Sequence, residues 1–211
     1  GSALVAVPIL LLIDPAMVPG PMLLSMLILS FLISYRNRDS IDFTGMWAAV
    51  LGSVPGAILG VIILNTLPTK SLTILIGGLI ILAVIISLAG AKMHPTKINL
   101  LSAGALAGFM ANTTSIGGPP IALVYQHASP AKLRGTLAGF SILGITISIV
   151  ALHFGGRFGV KELSAVVYLL PGTLLGFGIS IWIAKYVDGR WLRPAILIFS
   201  SLAALSVIIK S

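Results

Sequence analysis

Between Asn112 and Pro120 the chain reads Asn112-Thr113-Thr114-Ser115-Ile116-Gly117-Gly118-Pro119-Pro120: an amide and three hydroxyls, then two glycines and two prolines. Prolines suit the first turn of a new helix, because the N–H groups there lack an intrahelical partner in any case. A helix start offers bare N–H groups and partial positive charge, the glycines allow close backbone approach, and the hydroxyl and amide side chains add donors. The chemistry this suits is binding of a small anion without a formal countercharge. Asn112, Thr113, Thr114, Ser115, Gly117, Gly118 and Pro119 are the candidate substrate contacts. The plainer reading of the same residues is a Gly/Pro kink whose backbone groups are satisfied by neighbouring helices.

Three other residues are candidates for anion attraction or coupling. Arg134 follows the broken segment and would attract anions, although a cation flanking an apolar run more often marks topology. His127 titrates near neutral pH if unperturbed, which would suit proton coupling, yet a lone histidine beside a loop is more often structural. Asp14 precedes Pro15 at the end of a short apolar segment, where a cation ligand and a helix-end cap are both readable. Nothing points to catalysis. With no cysteine, three dispersed histidines, five acidic residues and no His-Glu-x-x-His helix, the chain offers no catalytic set, metal cluster or cofactor site. An intramembrane enzyme is therefore the weaker alternative, as is a non-transporting scaffold or receptor, which would not require broken segments in equivalent places. No Walker A sequence is present, so any transport is secondary unless another subunit supplies ATP.

The elements that must position the break are membrane helices. The chain is 57% hydrophobic and 9% charged with a mean hydropathy of +1.12, which makes lipid its main solvent. Runs such as Ile74 to Leu82 are apolar on every face, unlike the alternation of a β-barrel strand. The net charge of +8 lies in the loops flanking these runs, so it reads as topology signals and not as a nucleic-acid surface. Apolar runs against turn signals predict spans near 21–35, 43–66, 71–91, 133–153, 162–185 and 190–209, while 1–15 and 98–126 are interrupted by Gly and Pro. The halves of the second interrupted region, from Leu100 and from Ile121, are expected to be about 10–14 residues, ~15–20 Å of helix each.

The chain repeats itself. Pro55-Gly56-Ala57-Ile58-Leu59-Gly60 recurs as Pro171-Gly172-Thr173-Leu174-Leu175-Gly176 at an offset of 116, and Asp14-Pro15-Ala16 resembles Ser129-Pro130-Ala131 at 115. This divides the chain into a first repeat, 1–97, and a second, 98–211. Gly1 then aligns with Ile116, so the first copy is expected to lack a counterpart of 98–115, an N-terminal truncation. Its Ser2 and Ala3 would offer a second half-helix start opposite the first. If 98–126 crosses the membrane, Lys and Arg divide 7 against 6 between the two sides; if it turns back, they divide 9 against 4. Only the second obeys the positive-inside rule. It leaves three full spans per copy, hence two copies of opposite orientation. The expected architecture is all-α: a polytopic bundle of two inverted repeats, each a Gly/Pro-broken re-entrant segment followed by three transmembrane helices. Small-residue spacings at Gly56/Gly60, Gly104/Gly108, Gly135/Gly139 and Gly172/Gly176 allow close helix approach, which packing within one chain explains and a homodimer would also use.

Three stretches carry a specific resemblance: Ala103-Gly104-Ala105-Leu106-Ala107-Gly108-Phe109, the break ending Ile116-Gly117-Gly118-Pro119-Pro120, and Gly1-Ser2-Ala3-Leu4-Val5-Ala6-Val7-Pro8. Over essentially its whole length the chain resembles the sulfite exporter TauE/SafE family. The resemblance implies a multi-pass protein of the bacterial or archaeal inner membrane. It would move sulfite, sulfoacetate or a related organosulfonate between half-helix starts near the membrane midplane. The coupling ion, proton or sodium, does not follow from it.

Overall fold

The computed structural model describes residues 2–88, 93–183, 197–199, 201–202 and 205, and the described residues are helical throughout apart from turns and short connections. Up to residue 183 the described residues form eight α-helices: α1 (Ser2–Ile13), α2 (Gly20–Arg36), α3 (Phe43–Thr66), α4 (Thr69–Leu88), α5 (Lys97–Thr114), α6 (Gly118–Val124), α7 (Pro130–Phe154) and α8 (Val160–Ile183). Among the described residues four stretches are long and apolar enough to cross a membrane: Phe43–Thr66, Lys70–Leu88, Pro130–Phe154 and Val160–Ile179. The shorter α2 is apolar over 17 residues. Four of the six expected spans are matched by these stretches, the expected span near 21–35 corresponds to the shorter α2, and the sixth, near 190–209, falls largely outside the described residues.

Helix α5 is the centre of the bundle. It runs parallel to α3, because glycines on each helix face the other's backbone in step: Gly52 meets Leu101, Gly56 meets Ala105, Gly104 meets Ala49 and Gly108 meets Ser53. At each of these positions a Cβ would collide with a carbonyl oxygen of the facing helix. Such contact is possible only between small residues, and dispersion between closely approaching backbones replaces the hydrophobic drive that lipid does not supply. Further along, Gly60 leaves room for the Cβ of Asn112.

The broken segment differs from expectation in its proportions. Helix α5 continues for 18 residues through Thr114, about 27 Å at 1.5 Å per residue, and α6 has only seven. The reason is local. The hydroxyls of Thr113 and Thr114 donate to the Phe109 and Met110 carbonyls, at 2.9 and 2.7 Å, and so bond within the helix they were expected to end. The helix stops one residue later, where Ser115 takes a left-handed conformation with φ 58°. Beyond the break, α6 turns back along α5. Val124 and Tyr125 pack into the same cluster as Leu100 and Ala103, near the beginning of α5.

Helices α2 and α7 run in opposite directions, and so do α3 and α8. Asn37, closing α2, lies against Gly135 near the start of α7, while Gly20, opening α2, lies beside Phe158 just after α7. Helix α3 runs from Asp42 to the end where Asn65 bonds Arg157 and Gly155, and α8 starts from that end. One difference between α3 and α8 is testable. The α3 pair Gly56/Gly60 is packed on α5, whereas Gly172 and Gly176 of α8 have no described atom within 4 Å of an added Cβ. Gly56→Ala should therefore destabilise the protein by about 1–3 kcal/mol through overpacking, and Gly172→Ala should fall within about 0.5 kcal/mol of the parent. Thermal melting in detergent checks this, and equal effects at the two sites would refute the packing asymmetry.

Candidate functional site

The break between α5 and α6 is buried on most sides. Asn112, Thr113 and Thr114 have no solvent exposure, and Ser115, Ile116, Pro119 and Pro120 are buried. Each candidate side chain here donates its hydrogen to a backbone carbonyl. Asn112 Nδ2 donates to Ala57 on α3 at 2.7 Å, the two threonines donate within α5, and Ser115 Oγ donates to Pro19 at 3.0 Å. Pro19 O also accepts from Leu23 N at the start of α2. The break is thereby tied to the start of α2. The Ile116 N–H is held by Thr114 Oγ1 at 3.2 Å.

The backbone supplies what the side chains do not. Gly117 is the N-cap of α6 and finds no side-chain cap; Pro119 and Pro120 have no N–H. Among the described residues the N–H groups of Gly117 and Gly118 form no hydrogen bond. Both glycines are partly exposed, and two consecutive unpaired donors at a break in an apolar bundle are costly unless something accepts from them. The glycines differ in surroundings. A Cβ on Gly117 would sit 2.9 Å from the Ala107 carbonyl and 3.1 Å from the Ala111 Cβ, but one on Gly118 would meet nothing within 4 Å. Gly117 thus closes the turn onto α5, while Gly118 borders open space.

The remaining candidates lie apart from the break. Ser2 and Ala3 open α1, with their side chains outside the described residues, and Leu4 and Val7 share a core cluster with Met110 and Ile116 on either side of the break. Asp14 Oδ1 accepts from Ala16 N–H at 2.9 Å in the turn after α1. His127 is exposed in the turn after α6, and Arg134 is exposed near the start of α7.

Sequence reasoning passed over the group that anchors the returning arm. The Tyr125 hydroxyl donates to Asp42 Oδ2 at 3.2 Å, and Lys132 Nζ lies 3.2 Å from the same oxygen. Asp42 Oδ1 caps α3 by accepting from Gly45 N–H at 3.0 Å, and Asp42 N–H donates to Thr136 Oγ1 on α7 at 3.0 Å. One carboxylate joins the starts of α3 and α7 to the end of α6. The only sequence signal was an acid immediately before a long apolar run. Burial by itself raises the Asp42 pKa, but the Gly45 N–H, the Lys132 ammonium and the Tyr125 hydroxyl together hold it below the ordinary carboxylate value. A lowered folded pKa means that this contribution is complete above the unfolded value and is lost as pH falls through the folded one. Asp42→Ala should therefore cost about 1–2 kcal/mol, unchanged from about pH 5 to 8 and shrinking only in stronger acid. Melting temperatures of the variant and parent across pH test this; a cost that fades near neutrality would show that another group carries the effect.

No curated protein and no solved structure matches the chain. The family model described as sulfite exporter TauE/SafE matches residues 1–207, which takes in the α5–α6 break and every described helix. The chain belongs to the sulfite exporter TauE/SafE family and is an integral membrane protein of the anion-transporter class, not an enzyme.

Proposed function

We propose that this protein is a secondary transporter for small oxyanions of sulfur, namely sulfite, sulfoacetate or a related organosulfonate, in a bacterial or archaeal inner membrane. The observation that carries the reading is the pair of unpaired N–H donors at Gly117 and Gly118, with open space beside Gly118. An oxyanion presents several acceptors to such a pair, and hydrogen bonds to a charged group are about twice as strong as neutral ones. Asn112, Thr113, Thr114, Ser115 and Pro119 shape the break, and Ser2 and Ala3 bring the other repeat's helix start toward it. The site carries no formal charge, so it binds an anion without trapping it.

The transport plan is an inverted repeat with re-entrant hairpins. The antiparallel α2/α7 and α3/α8 directions and the return of Tyr125 toward the start of α5 support it. Arg36, Arg38, Lys97, Lys132 and Arg134 gather at the Asp42 end, which makes that end cytoplasmic on the positive-inside rule. Single cysteines at Lys97→Cys and Lys132→Cys should label from the same face in intact cells. Labelling from opposite faces would sink both the hairpin and the inversion.

The substrate reading is tested in proteoliposomes given sulfite, sulfoacetate or a carboxylate control, with and without imposed proton or sodium gradients. Gly118→Leu should lower sulfite affinity by at least about tenfold with little change in melting temperature, since the added side chain enters open space. Gly117→Ala should instead lower stability, because its Cβ meets the Ala107 carbonyl. If a folded Gly118→Leu protein moves sulfite like the parent, the break is a packing feature and the site assignment fails.

A further inference from the structure

Two side-chain oxygens in the described interior have no hydrogen-bond partner: Asn112 Oδ1 and Ser148 Oγ, both in residues without solvent exposure. Ser148 is an exception among its kind. The hydroxyls of Ser25, Ser30, Ser53, Thr113, Thr114 and Thr146 all donate to a carbonyl one turn earlier in their own helix. The orientation of the Asn112 amide is fixed by its neighbour. Ala57 O lies 2.7 Å from Nδ2, and a flipped amide would set two carbonyl oxygens against each other. Oδ1 is therefore an orphan acceptor by necessity.

Both oxygens belong to the same region of the bundle. Asn112 bonds α3 at Ala57 and lies against Gly60. The residues flanking Ser148 meet the same part of α3: Ile147 and Ala151 face Ala57 and Val61 across a shared apolar groove, and Ile145 and Leu152 pack in one cluster with Val61, Leu64 and Ala111. Ala57 is the fifteenth of the 24 residues of α3, so this region lies near the middle of a spanning helix.

The chemistry of the pair selects its ligand. An amide oxygen accepts and cannot donate, so an anion is repelled at Oδ1; what satisfies both oxygens is a cation, or a donor such as water. Helix α5 ends two residues after Asn112, and its last carbonyls add negative partial charge. A divalent ion would require carboxylates. The stretches 20–35, 43–66, 71–88, 98–124, 135–152 and 163–183 contain no Asp, Glu, His, Lys or Arg, so an acid or imidazole that would carry a proton through this interior is missing from them. Neutral oxygens at a broken helix suit a monovalent cation, as in the half-helix sites of sodium-coupled carriers.

We propose that Asn112 Oδ1 and Ser148 Oγ are ligands of a sodium-ion site at the centre of the bundle. Its role in coupling rests on the transport reading above; the cation site itself does not. The test is a sodium titration of the purified full chain in detergent at constant ionic strength, with choline chloride as the balancing salt and potassium chloride as a parallel arm. The melting temperature of the parent should rise saturably with sodium and not with choline, and direct binding of radioactive sodium should follow the same curve. Ser148→Ala should shift half-saturation upward by about tenfold while melting no lower than the parent in choline, because an idle buried hydroxyl stabilises nothing. Labelled sulfite binding at saturating sodium should survive in that variant. A parent indifferent to sodium, or a Ser148→Ala protein with an unchanged sodium curve, overturns the proposal and leaves a buried water as the partner of the two oxygens. A parent that binds sodium but never sulfite leaves the cation site standing and removes the transport reading.

Discussion

In a bilayer every backbone N–H and C=O must find a partner inside the protein, and the turn from Ser115 to Gly118 departs from that rule. The rest of the structure makes that departure possible. Helix α5 is held to its last turn by hydroxyls bonding within the helix, Asn112 ties it to α3, and Ser115 ties the turn to the start of α2. With the side-chain hydrogens directed to carbonyls, the Gly117 and Gly118 N–H groups remain free. A site built from backbone in this way is stiff, since its geometry is that of the helices around it.

Holding a long broken segment inside a bundle requires close neighbours, and the α3–α5 contact supplies them. Four glycines let the two helices meet backbone to backbone, so α5 is fixed in depth by steps of one turn. The returning arm has no such glycine register. Its end is held instead by a polar cluster at Asp42, where Tyr125, Lys132, Gly45 and Thr136 converge. The break is thus fixed by packing on one side and by charge-assisted hydrogen bonds on the other.

Electrostatics divides the molecule in the same way. Formal charge stays at the helix ends, and the interior is served by amide, hydroxyl and backbone dipoles. Neutral ligating groups cost far less to bury than ions do, and they release a bound ion readily. A transporter needs both properties, and the family to which the chain belongs is one of transporters.

The sequence by itself determined the helices, because spans are set by how many apolar residues cross a bilayer, a local property of the chain. Breaks at Gly/Pro clusters were legible for the same reason, and so was the motif that carries the family resemblance. The exact end of α5 was not, since whether Thr113 and Thr114 end a helix or bond within it depends on the surroundings that hold the helix in place. Nor was the difference between Gly117 and Gly118, adjacent identical residues of which one rests on α5 and the other faces open space. Tyr125 meets Asp42 across 83 positions, and Asn112 meets Ala57 across 55. No local pattern encodes such pairs, because partners distant in the chain are chosen by the packing of whole helices, and only the tertiary structure decided them.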